Sequence, residues 1–240
     1  MTNSSLPATN ITSTEKGTHV STPPGGGPVP FVIQRRGEEA APADFLFTRS
    51  GPGRYRLRYL DEDPRDRDLH GVLWGRCSLN PVDDDGWPTG EPEWKMMHPF
   101  RQRITMQSLR CQVCTEPART RLGTVFLAGP HDLGPGADTV LTNQPPVCAR
   151  HVKAAARLCP HLAGRPRVFL ARSAPLYGVV GVIYGYSPEH GIHVVAQPEM
   201  ALPYGHPNLA TCLASQLVRR ISSFTVLTVD ELMRDLDAAP

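Results

Sequence analysis

"CQVC", residues 111–114, and "PPVCARH", residues 145–151, are the stretches whose joint reading decides the organisation of this chain. Each places two side chains with soft or borderline donor atoms one knuckle apart: Cys111 with Cys114, and Cys148 with His151. A zinc ion in a structural site takes four such donors in a tetrahedron, usually delivered as two short-spaced pairs. The spacing therefore nominates Cys111, Cys114, Cys148 and His151 as ligands of one structural Zn2+. Just past the second pair, "ARHVKAAARL", residues 149–158, is rich in alanine with Lys and Arg, a helix-forming composition. Cys148 then falls at or just before a helix start, where the positive end of the helix dipole favours a thiolate. Cys159 and His161, in "LCPHL", stand too far along that helix to join the same ion, about 16 Å from Cys148 at ~1.5 Å per residue. They are read as a packed helix end and an exposed or capping side chain.

Working outward, the chain of 240 residues can bury a core without covalent staples, and its six cysteines form no spread disulfide framework. Free thiols imply a reducing compartment. No basic start followed by an apolar run and no stretch of roughly 20 apolar residues is present, so a cytoplasmic protein with no membrane contact is expected. The formal charge of +2 excludes a strong global attraction to polyanions. Only three of the 25 basic residues are lysine, a bias better explained by base composition than by selection for phosphate binding.

Four segments follow. Residues 1–29 are rich in Ser, Thr, Pro and Gly and lack apolar periodicity, so they are expected to be a disordered tail. Residues 30–98 read as β-rich. "PFVIQ" suggests an edge strand, and "RYRLRYL", residues 54–60, sets Tyr55, Leu57 and Tyr59 against an arginine face paired to the following acids. "LHGVLWGRCSL" is expected to be the return strand. Asp83, Asp84 and Asp85 lack the alternate spacing of a calcium loop and read as a polar turn.

Residues 99–164 form the zinc module, opened by a short helix, "PFRQRITMQSL", with Phe100, Ile104 and Leu109 along one side. Residues 165–240 read as three strands and two helices. The strands are "YGVVGVIYGY", "GIHVVAQ" and "SFTVLTV". One helix is "PNLATCLASQLVRRI", with a stripe of Leu209, Cys212, Leu213, Leu217 and Ile221; the other opens on a Thr228–Glu231 capping box. The fold class expected is α+β.

A knuckle, a hairpin strand in "RTRLGTVFLAGP" and a helix donating the last two ligands resemble the treble-clef zinc finger group. "TNQPPVCARHVKAA" is also similar to the HNH and endonuclease VII nucleases. That likeness implies Asn143 in the asparagine position, with His131 beside Asp132 as the base that activates water near a divalent ion. Two departures weigh against it: the order is "PHD" rather than acid then histidine, and His151 is consumed as a ligand. The layout "RCQVC", "PPVCARHVKAAARLCPHL", "PLYGVVG" and "LPYG" resembles small uncharacterised actinobacterial proteins with two knuckles, a likeness that implies no activity. The expectation is a non-enzymatic binding or regulatory protein with nucleic acid as first candidate ligand, met by Arg150, Lys153 and Arg157 on the helix. A protein partner would meet the region of Trp74, Trp87 and Trp94 or the exposed tail. The oligomeric state is not legible.

Overall fold

The structure, a computed structural model, describes residues 29–129, 138–159, 162 and 166–238. The expected tail thus lies outside the described residues except for its last position. In chain order the strands and helices are β1 (Ile33–Arg35), β2 (Phe45–Gly51), β3 (Arg54–Tyr59), β4 (Leu73–Trp74), β5 (Pro92–Met97), α1 (Pro99–Gln107), β6 (Thr124–Ala128), β7 (Thr139–Thr142), α2 (Val152–Leu158), β8 (Arg167–Ser173), β9 (Leu176–Ser187), β10 (Gly191–Ala196), β11 (Leu202–Pro203), β12 (Cys212–Leu227) and α3 (Val229–Ala238). The mixture is α+β, as expected.

β12 is the spine of an eight-stranded sheet. Along one side it pairs antiparallel with β9 and then β8; along the other it meets β4, in parallel, and then β7. β10 and β11 extend the sheet beyond β9, and β6 lies beyond β8. The sheet draws strands from before, within and after residues 99–164. Two small antiparallel ribbons, β1–β5 and β2–β3, complete the N-terminal part.

Three expectations are corrected. Residues 207–221 are not a helix: a short 3-10 turn at Pro207–Thr211 leads into the 16 residues of β12. The apolar spacing resembles a helical stripe because β12 carries two register shifts, at Ala214/Gln216 and Val218/Arg219. Each bulge inserts a residue and converts the strand period of two into spacings of three and more. The buried Cys212, Ala214 and Leu217 accordingly share one core cluster, and Cys212 is in the core as expected but on a strand.

Second, "LHGVLWGRCSL" does not return along β3. Only Leu73–Trp74 is strand, it pairs with β12, and β3 takes β2 as its partner across a turn with Gly53 at φ 66°. The face of β3 is as read only in part: Leu57 and Tyr59 are buried and Arg58 pairs with Glu62, but Tyr55, expected beside them, is exposed, and Arg56 donates to the Gly71 carbonyl rather than to an acid. Third, the side of α1 turned to the core is not Phe100 but Arg101, Gln102, Thr105 and Met106. The long polar side chains there find partners in other elements. The Arg101 guanidinium donates to both oxygens of Glu38, which also accepts from the Arg35 N–H. The pair is almost wholly buried.

Gln102 donates to the carbonyls of Asn143 and Leu217 and accepts from the Leu217 N–H at 2.9 Å. Leu217 lies between the stretches of β12 that pair with β4 and β7, so this carboxamide closes the gap between two short strands. Arg219 of β12 reaches back to the carbonyls of Met106 and Gln107 at the end of α1. Buried carbonyls at a helix end need donors, and a buried guanidinium needs acceptors.

Among the described residues no helix is long and apolar enough to cross a membrane.

Candidate metal centre

The first knuckle leaves α1 through Leu109, at φ 50°, and turns back at Thr115, at φ 61°. Its backbone closes on itself: the Cys111 N–H donates to Glu116 O at 2.7 Å and the Thr115 N–H to Cys111 O at 2.9 Å. The N–H of Val113 points at Cys111 Sγ, 3.4 Å away. The second knuckle is anchored by Val147, which bridges to Val125 of β6, and by Cys148 O, which accepts from the N–H groups of His151 and Val152 as α2 begins. A backbone hydrogen bond ties the knuckles together, Gln112 N–H to Pro146 O at 2.9 Å. The expected strand "PFVIQ" adds a strap, with the Phe31 and Val32 N–H groups donating to Val113 O and Gln112 O.

These constraints bring the four nominated side chains together. Their ligand atoms all lie within 4.8 Å of one another. Cys114 Sγ is 3.8 Å from Cys148 Sγ, and His151 Nδ1 is 3.3 Å from Cys148 Sγ and 4.0 Å from Cys111 Sγ. No other such group of His, Cys, Asp or Glu occurs among the described residues. Three sulfurs and an imidazole nitrogen facing one point can hold a metal ion. Beneath them lies a core cluster that includes Val125, Val147, Val152, Val168 and Leu232, so the centre joins α2 and α3 to the sheet.

The three thiols are not equivalent. Burial pushes Cys111 up to about 12, against backbone N–H groups that favour its thiolate. Burial acts the same way on Cys114, but the Glu116 N–H and the Arg150 guanidinium outweigh it and hold this thiol below its usual value. Burial, then the nearby Arg150 charge, lower His151, which keeps the imidazole neutral and able to ligate. The sequence offers Arg150 as a phosphate-binding group on the helix. In the structure it is exposed and bonded to a ligand sulfur, an arrangement that spacing alone does not announce.

Lys153 is exposed on α2, and Arg157 is exposed one turn further along. Cys159 caps the end of α2 and packs against the core beneath the centre, and the four-residue group does not include it. His161 lies outside the described residues, as do His131 and Asp132. Asn143 is described: its side-chain amide donates to Gln216 Oε1 on β12, and its carbonyl accepts from Gln102. Between the knuckles a tight turn at Thr120–Gly123 sets Arg119 antiparallel to Thr124; beyond it the strands take other partners, β6 pairing with β8 and β7 with β12. Asp83 caps its own turn through the Asp85 and Trp87 N–H groups, as a polar turn would. The arginines around α1 are occupied rather than offered to polyanions: Arg101 by Glu38, Arg103 by the Arg65 and Arg67 carbonyls, Arg110 by Thr115 O.

No protein-family model matches this chain, and neither a curated protein nor a solved structure matches it.

Proposed function

We infer that this is a zinc-stabilised binding protein, held in shape by one Zn2+ on Cys111, Cys114, Cys148 and His151, whose α2 face meets the phosphates of a nucleic acid. The observation that carries the reading is the closed donor set. A tetrahedron with Zn–S of ~2.3 Å and Zn–N of ~2.0 Å has edges of roughly 3.5–3.8 Å. The separations of 3.8, 3.3 and 4.0 Å among the donor atoms fall close to those edges. Four protein ligands leave zinc no position for water or substrate, which favours a structural ion over a hydrolytic one. A knuckle, a short antiparallel turn at Thr120–Gly123 and a helix that donates from its start are similar to the treble clef.

Lys153 and Arg157 supply exposed cations one turn apart on α2, and such groups bind phosphate by releasing counterions. The test has two parts. Purified protein is assayed for zinc, then titrated with duplex and single-stranded nucleic acid across a salt series. One zinc ion per chain is expected, with binding that weakens as salt rises. Lys153→Ala and Arg157→Ala should each weaken binding and lower the salt slope by about one, the signature of a single phosphate neutralised by each cation. Binding insensitive to both changes would remove α2 as the interface. Magnesium- or manganese-dependent cleavage of DNA, abolished in His131→Ala, would replace this reading with that of a metal-dependent nuclease.

A further inference from the structure

We propose that the Cys114–Cys148 pair is a site of oxidation by hydroperoxides, and that joining these two sulfurs as a disulfide discharges the metal. The proposal rests on the metal reading above. Its basis is an asymmetry of exposure within the donor set. Cys111 is fully buried under the knuckle, whereas Cys114 and Cys148 are each partly open to solvent. Their sulfurs are 3.8 Å apart, so bond formation needs an approach of less than ~2 Å to reach the ~2.05 Å of a disulfide. The Arg150 guanidinium is exposed and is a hydrogen-bond partner of Cys114.

The chemistry balances with one peroxide as the oxidant. The Cys114 thiolate sulfur attacks one peroxide oxygen; an S–O bond forms, the O–O bond breaks, and hydroxide leaves and is protonated by solvent. The sulfur is now a sulfenic acid. The Cys148 thiolate attacks it, the S–S bond forms, the S–O bond breaks, and a second hydroxide leaves as water after protonation. The two sulfurs together lose two electrons to the peroxide. Arg150 is a positioning residue here, donating to the departing hydroxide. The metal retains only Cys111 and His151, half of its donors, and a two-donor zinc site in water does not hold. Because Cys148 O accepts from the first N–H groups of α2, the structural consequence falls on the start of that helix.

The experiment treats the full, metal-loaded chain with hydrogen peroxide. Released zinc is followed with a chromogenic chelator, and aliquots are alkylated and mapped by mass spectrometry. Zinc release in step with a Cys114–Cys148 disulfide is expected, with Cys111 still alkylatable after denaturation. Arg150→Ala, compared per zinc-loaded chain after its zinc content is measured, is expected to oxidise about tenfold more slowly, the equivalent of one charge-assisted hydrogen bond. A disulfide through Cys111 or Cys159 instead, or zinc that stays bound under peroxide, would overturn the proposal. If the purified chain carries no zinc, the metal reading fails, and the same mapping on that protein still tests the pair: without the Cys114–Cys148 linkage the oxidation site is wrong as well.

Discussion

Gln102 stands in for a strand. Its carboxamide makes three hydrogen bonds to the backbone of Asn143 and Leu217, in the interval of β12 between its pairings with β4 and β7. Gln102→Leu would leave a buried N–H and two carbonyls without partners, at about 1–3 kcal/mol for each unsatisfied group. A loss of about 3 kcal/mol is expected, read from urea denaturation. A change within about 0.5 kcal/mol, the range of a surface substitution, would show that water replaces the amide.

Glu38 is the second decisive residue. Burial pushes its carboxyl up, but the Arg101 guanidinium and the Arg35 N–H outweigh it, so its folded pKa lies below the usual carboxylate range. Stability from the pair is therefore complete above the unfolded value of about 4.3 and is lost as pH falls through the lower folded value. Glu38→Gln, which strands Arg101 in the core, is expected to cost about 3–5 kcal/mol and to flatten the acid limb of a pH–stability curve. Neither role is legible in the sequence. "FRQR" reads as a polar helix surface because nothing local says that partners 63 and 115 residues away will bury it.

At the scale of elements, short-range signals are reliable and long-range ones are not. The β9–β10 hairpin, the Thr228–Glu231 box at α3 and the helix after Cys148 are as the sequence implies, because each depends on turn chemistry or capping within a few residues. β12 imitates a helix because its bulges break the period that identifies a strand. The places of β4 and β7 are hidden because pairing partners are not encoded locally. The glycines of "YGVVGVIYG" lie in a strand, as their pattern implies, and the neighbouring strands supply their reason: β11 at Gly178, β12 at Gly181 and β10 at Gly185. A Cβ on Gly178 would lie 1.9 Å from Leu202 O, so only glycine permits that pairing. Gly178→Ala is expected to push β11 off β9, lower the thermal midpoint by the equivalent of about 1–3 kcal/mol, and loosen the hydrogen bond from the Tyr204 hydroxyl to Asp68. Unchanged melting would mean that β11 can shift without cost.

Over the whole molecule, the donor set sits at one margin of a structure whose other clusters do not use it. The Val179–Leu217 cluster and the Leu57–Tyr59–Leu73 cluster are built without any of the four ligands. Metal removal by a chelator is therefore expected to melt the protein in part. Amides of residues 111–118 and 147–158 should lose protection from hydrogen exchange, while the β9–β12 pairing keeps it. Uniform loss of protection would show instead that the ion holds the entire fold. The sequence by itself determined the donor set and the local elements, since ligand spacing, caps and hairpin turns act within a few residues. Only the tertiary structure decided which strands neighbour β12, which face of α1 is inside and where the Arg150 cation goes. Those outcomes are set by packing and by hydrogen-bond partners far apart in the chain, a competition that no local pattern records.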